Sequence, residues 1–227
     1  MNAFPVMIFA AGFGTRMGEL TQHQPKPLIR VAGKALIDHA LDLIKAAPST
    51  HNPIVANTHY LADQLHDHLE GVLISHEADE ILETGGGLRK ALPLLGSDTA
   101  ITMNPDVIWH GPNPFHALIN AWRPDDMDAL LLCVPIERTL GRIGGGDFTL
   151  DNQGRPSRGG NMVYGGLQII KTEKLAEIPD TAFSLNKVWD LMAQENRLYC
   201  AEYDGKWCDV GRPDCIPLAE ELIASDV

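Results

Sequence analysis

Residues 9–28 read FAAGFGTRMGELTQHQPKPL, and the reading of this stretch decides the fold. It leaves an apolar run, residues 5–10, that hardly alternates and so predicts a strand buried on both faces. It then turns through Gly12 and Gly14, where small residues and free backbone N–H groups suit a polyphosphate. Arg16 offers a planar fork for two phosphate oxygens, and Lys26 a compact point charge. Pro25 and Pro27 predict an extended backbone at Lys26 that fixes where its charge points.

Two familiar phosphate loops do not fit. A dinucleotide fingerprint needs a third glycine where this chain has Met17, and an acid about twenty positions on at a strand end. The nearest acid, Asp38, falls inside a predicted helix. A Walker loop needs Gly-Lys-Ser/Thr, which does not follow. The plain alternative is a glycine turn with solvated cations; two cations on rigid flanks favour the phosphate reading.

Outward from the loop, short apolar runs alternate with helical patterns, the signature of an α/β sheet with crossover helices. Apolar stripes predict helices over 35–46, 61–69, 88–95, 115–122, 184–196 and 215–224, the first ended by Pro48 and Ser49. Strands are predicted over 54–57, 71–75, 99–103, 129–134, 198–203 and 207–210. From Gly141 to Gly166 the chain carries nine glycines, with hairpin strands expected at 148–150 and 162–170. This segment reads as an antiparallel extension of the sheet, so 1–227 is expected to be one domain, with 141–170 a glycine-rich extension of it.

A formal net charge of -12 argues against a protein that holds nucleic acid by its backbone. An acidic chain that binds phosphates needs local cations and, most naturally, a divalent metal. The four cysteines form no C-x-x-C pair, which predicts buried reduced thiols. The apolar start lacks a basic n-region, and no segment has the length of a membrane span. A cytoplasmic protein with no membrane or nucleic-acid partner is expected, as a monomer or small homo-oligomer.

The motifs AAGFGTRM at 10–17, PKPL at 25–28, ETGGG at 83–87, Asn104-Pro105-Asp106 and WCDVG at 207–211 run in order across nearly the whole chain. Together they resemble the nucleotidyltransferases that join a sugar 1-phosphate to a nucleoside triphosphate. The short length, ETGGG, Gly146-Asp147-Phe148 and WCDVG are most similar to the branch that acts on UTP and N-acetylmuramate 1-phosphate in cell-wall sugar recycling. The resemblance implies a Rossmann-like three-layer α/β sandwich with a mixed, mostly parallel central sheet.

It also implies roles. Ala11, Gly12, Gly14 and Thr15 would wrap the triphosphate with Arg16, and Lys26 would reach the α-phosphate. Asp106 and Asp209 would hold Mg²⁺, which favours carboxylates, phosphate oxygens and water. Glu83, Thr84 and Gly85 would face the base, Asn104 the ribose or a phosphate, and Gly146, Asp147 and Gly166 the sugar. Each has a plainer alternative: turn or cap aspartates, a helix start capped by Thr84, a turn at Asn104, and a flexible hairpin at 144–147. Gly165 and Gly166 inside an apolar strand predict a bulge or a ligand's close approach.

Two departures stand out. Pro105 replaces the family's usual glycine, and no lysine stands where relatives hold the sugar phosphate, leaving Arg155 and Arg158 as nearby cations. The histidines show no metal spacing. The expected chemistry is attack by the sugar phosphate oxygen on the α-phosphorus, releasing pyrophosphate. That oxygen is already anionic, so no general base is needed. The alternatives are another sugar 1-phosphate (glucose, mannose) with another nucleoside triphosphate, or a non-catalytic nucleotide-sugar binding protein.

Overall fold

The computed structural model describes residues 4–47 and 50–225, so the predicted stop at Pro48 and Ser49 lies outside the described residues. Its centre is a nine-stranded sheet. Leu73–His76, Thr50–Thr58, Phe4–Phe9 and Thr99–Met103 run side by side and parallel. Met162–Lys171 then pairs antiparallel with both Thr99–Met103 and Ala129–Pro135, and Leu198–Glu202 adds parallel to the last. The hairpin Phe148–Leu150 and Pro156–Arg158 extends the sheet from Met162. The sheet is mixed and mostly parallel, as expected.

Strand alternation makes the three layers. Val6, Ile8, Ala56, Ile101 and Leu130 face one core with Ile37, Ile44, Leu65, Phe115 and Leu118 from helices Leu36–Lys45, Ala62–His68 and Pro114–Ala121. Met7, Val55, Ala100 and Leu131 face the other, under helices Glu83–Leu95 and Leu185–Gln194. Strands covered on both sides need apolar residues at every position, which is why the first strand does not alternate.

A third, smaller core sits at the carboxyl end of the sheet. Val107–His110, Lys206–Asp209 and Thr139–Leu140 form a three-stranded sheet against helix Cys215–Ala224. Met17 is fully buried there with Ile108, Cys208 and Val210. The residue that replaces the third fingerprint glycine is therefore an apolar anchor. It pins the glycine loop after the first strand to the strand carrying Asp209.

The helix predicted from Leu88 begins at Glu83, five residues earlier. Gly85, Gly86 and Gly87 are its buried first turn and not a separate loop. Phe183 and Thr181 press on this turn: a Cβ on Gly85 would collide with the Phe183 ring and lie 2.9 Å from the Phe183 carbonyl oxygen. That carbonyl is backbone and cannot swing aside. Gly85→Ala is accordingly expected to lose stability by about 3 kcal/mol, more than the roughly 1 kcal/mol that alanine returns in helix propensity. A lowered urea midpoint without a changed slope checks this.

All four cysteines are free and buried. No helix among the described residues is long and apolar enough to cross a membrane.

Candidate active site

The first strand ends at Phe9, and Ala10 to Gly14 take no regular structure, so their N–H groups are not consumed by a ladder. The loop is held at its base, where the Ala10 N–H donates to buried Asn57 Oδ1 at 2.8 Å. Asn57 Nδ2 in turn donates to Glu77 Oε1 at 2.7 Å, and the Leu82 N–H to Glu77 Oε2 at 2.8 Å. One buried carboxylate thus ties the glycine loop to the start of the Glu83–Leu95 helix. Nothing in the sequence marks Glu77, which lies in a run of acids.

Gly14 adopts φ +64°, and a Cβ there would stand 2.8 Å from Lys26 Cβ. Its missing side chain is what lets the PKPL segment close against the loop. The backbone at Lys26 is not extended as expected. Pro25 is extended, but Lys26–Leu28 form a 3₁₀ turn closed by Leu28 N–H to Pro25 O and Ile29 N–H to Lys26 O. The bond closed across Pro27 outweighs the bias against helical geometry before proline. Lys26 is 8% exposed, and its ammonium pairs with Asp106.

Asp106 and Asp209, 103 positions apart in the chain, are brought together by the small sheet. Asp209 pairs in register with Val107, and the Val210 N–H donates to Asp106 O at 2.9 Å. Burial, then the nearby Asp106 charge, pushes the Asp209 carboxyl above its usual range, against the opposing pull of Lys26, Arg16 and Arg142. Two carboxylates beside Lys26 and Arg16 are hard-oxygen groups of the kind that suit Mg²⁺. Gly211 fits between the groups: a Cβ there would lie 2.9 Å from Asp209 Oδ1 and 3.2 Å from an Arg16 Nη. Gly211→Ala is expected to displace both and reduce kcat/KM by about a hundredfold. Steady-state rates beside an unchanged melting temperature check it.

Two adjoining clefts meet at these groups. One, of about 250 Å³, is lined by Ala11, Gly12, Lys26, Glu83, Thr84, Asn104 and Asp106. The other, of about 380 Å³, is lined by Arg16, Asp106, Arg142, Asp147, Gly166 and Asp209, with Tyr164, Trp189 and Trp207 as apolar walls. Phe9, Thr84, Asn104 and Asp106 border both.

Gly14, Thr15, Gly85 and Gly146 line neither cleft. Gly14 and Gly85 are packing positions, and the Gly85 N–H is committed to Phe183 O at 2.8 Å. Gly146 lies against Asn161 and Gly160, its N–H bonded to Gly160 O at 2.9 Å. Thr84 sits inside the helix, not at its cap, and its hydroxyl accepts the Leu185 N–H at 3.0 Å. Glu83 is held at φ +58°, an uncommon conformation for a residue with a side chain, at the cleft wall.

The glycine pair is a bulge. The register slips between Tyr164 and Leu167. The freed Gly165 carbonyl accepts Trp207 Nε1 at 3.0 Å, and the Gly166 carbonyl accepts the Asn104 N–H at 2.8 Å. Gly166, at φ +85°, leaves the space that Asn104 fills.

On this side Arg142 lines the larger cleft together with Asp106 and Asp209. Its Nη2 donates to Asp147 Oδ1 at 2.6 Å, and the Tyr164 N–H occupies Asp147 Oδ2 at 2.9 Å. Asp147 therefore aims an arginine as well as bordering the cleft. Arg155 lies over the Tyr199 ring at 5.6 Å and lines neither cleft, whereas Arg158 lines the larger one. The histidines are tied locally: His66 and His76 share the Thr58 hydroxyl at 3.0 and 3.2 Å, and His68 pairs with Asp38.

Residues 6–223 match the family model described as "MobA-like NTP transferase domain". An N-acetylmuramate alpha-1-phosphate uridylyltransferase of Caulobacter vibrioides is 39% identical, with 96% of each chain covered. Its counterpart from Neisseria meningitidis serogroup B is 35% identical, covering 90% of this chain and 92% of its own. Among solved structures, the inositol-1-phosphate CTP transferase from T. maritima superposes with a TM-score of 0.77 at 14% identity, covering 100% of this chain and 99% of its own. HddC from Yersinia pseudotuberculosis complexed with GMP-PN gives 0.74 at 20%, covering 97% and 99%. At those identities the structural likeness speaks for the fold.

Proposed function

The chain belongs to the MobA-like NTP transferase family, and we propose that it transfers the uridylyl group of UTP to N-acetylmuramate 1-phosphate, releasing pyrophosphate. Two uridylyltransferases of that sugar phosphate, each at least 35% identical across nine-tenths or more of this chain, support the choice of substrates. The observation that carries it is the meeting of Lys26, Arg16, Asp106 and Asp209 where the two clefts join.

In this reading the smaller cleft takes the nucleotide. Ala11 and Gly12 offer backbone N–H groups to the triphosphate, and Glu83, Thr84 and Asn104 face the nucleoside. Lys26, aimed by its turn and by Gly14, sits at the α-phosphate and balances charge there as the attacking oxygen arrives. Arg16 holds phosphate oxygens from the side of Asp209. Asp106 and Asp209 would hold Mg²⁺, which when bound neutralises and orients phosphate oxygens.

The larger cleft takes the sugar 1-phosphate. Arg142, fixed by Asp147 and acting on Asp209, stands where the sugar phosphate would enter. Tyr164, Trp189 and Trp207 wall the pyranose ring. The nucleophile arrives ionised, so the protein's task is to bring two anions together and hold them in line. A cytoplasmic enzyme returning this sugar to cell-wall synthesis fits the reading.

The test is pyrophosphate release in the presence of Mg²⁺, with UTP, dTTP, GTP and CTP against a panel of sugar 1-phosphates. UTP with N-acetylmuramate 1-phosphate is expected to give the highest kcat/KM. A higher value for any other pair would replace these substrates.

A further inference from the structure

We propose that Arg158 reads a second negative charge on the sugar 1-phosphate, so that the larger cleft selects an acidic sugar over its neutral counterpart. This rests on the function proposed above and names the residue that sets its sugar specificity.

A neutral sugar 1-phosphate presents one anionic group, and Arg142, held by Asp147 on the wall of the cleft that Asp209 also lines, stands for it. Arg158 is a further cation on the wall of the same cleft, in a chain of net charge -12. It comes from the hairpin strand Pro156–Arg158 and reaches helix Leu185–Gln194, where Nη1 donates to Asn186 Oδ1 at 2.7 Å and Nη2 to Asp190 Oδ1 at 2.8 Å. Its guanidinium lies over Phe148 at 5.2 Å and over Trp189 at 6.0 Å from the ring centroids. Two bonds and two rings fix the plane of a group that has five N–H donors, so three remain to offer.

The first-turn N–H groups of Leu185, Asn186 and Lys187 are taken by Thr84 Oγ1, Ser184 Oγ and the Ser184 carbonyl, so the donors left on this wall are those of Arg158. Ser184 and Asn186 open that turn onto the cleft beside Arg158. The Asp190 partner is exposed, so the pair is worth little as a stabilising bridge. The guanidinium fixed on this wall presents a planar fork, the geometry that receives a carboxylate. N-acetylmuramate differs from N-acetylglucosamine by a lactyl ether that ends in such a carboxylate.

Arg158→Gln and the wild type are to be compared in UTP-dependent pyrophosphate release with N-acetylmuramate 1-phosphate and N-acetylglucosamine 1-phosphate. The variant is expected to lose about 10- to 100-fold in kcat/KM for the acidic sugar, mostly through KM, and to keep its rate on the neutral one. The amide of the lactyl carboxylate, given to the wild-type enzyme, is expected to show the same loss; this arm holds even if the variant folds poorly. Wild-type turnover of neither sugar sinks the function and this proposal with it. Turnover of both at equal kcat/KM, an equal loss for Arg158→Gln on both, or full activity on the amide overturns the role of Arg158 alone.

Discussion

Lys26→Ala is expected to lower kcat by about a hundredfold or more, because in the proposed reaction it removes a fixed cation from the point where transition-state charge develops. The side chain is nearly buried, and Gly14, having no Cβ, lets the loop close against it. The change also leaves Asp106 without its ion-pair partner. Asp106 is partly exposed, so solvent takes up much of that loss, and a melting temperature lowered by only a few degrees is expected. Lys26→Arg is not expected to rescue, since a planar fork does not fill the space of a compact ammonium. Pyrophosphate release measured beside circular dichroism tests this; a folded Lys26→Ala enzyme with a tenth or more of wild-type turnover would remove Lys26 from the chemistry.

Asp209→Asn is expected to separate activity from stability. Turnover should fall by about a hundredfold or more with a raised Mg²⁺ requirement, because one of two anionic oxygen donors becomes an amide. The melting temperature of the metal-free protein should stay level or rise. Burial and Asp106 push the Asp209 carboxyl upward, which means the folded state disfavours its ionised form. A carboxyl whose pKa is raised by folding costs stability as pH climbs through its titration. An asparagine carries no such charge. An unchanged Mg²⁺ titration would take Asp209 out of the site, and a melting temperature several degrees lower would contradict the electrostatic account.

The main sheet was legible because its strands and helices differ in period. Ile37, Ala40 and Ile44 recur at helical spacing, whereas the run from Ala129 to Val134 is apolar throughout and buried throughout. The carboxylates were legible as motifs, since each follows an apolar run at a strand end. Less could be read where a residue type serves two purposes. Three glycines look like a loop whether they bend the chain or let Phe183 approach, so the sequence offers a loop and a helix start capped by Thr84 side by side and does not single out the start at Glu83. Val107–His110 is four residues long, directly behind a proline and an aspartate, and its pairing with Lys206–Asp209 is set far along the chain. Arg142 and Glu77 gain their meaning from partners in space, Asp147 and Asn57, that no local pattern announces.

At the bulge of Gly165 and Gly166, parity decides what the strand can do. Tyr164 stands opposite Cys133 and Leu167 opposite Leu132, so two residues, not one, are left over. An odd insertion reverses which face every later side chain occupies, while an even one leaves the alternation in phase. Val163 before the bulge and Leu167 and Ile169 after it accordingly enter the same core, with Met162 and Ile170 both in the other. The strand can thus commit two carbonyls to Trp207 and Asn104 without turning either half of itself inside out.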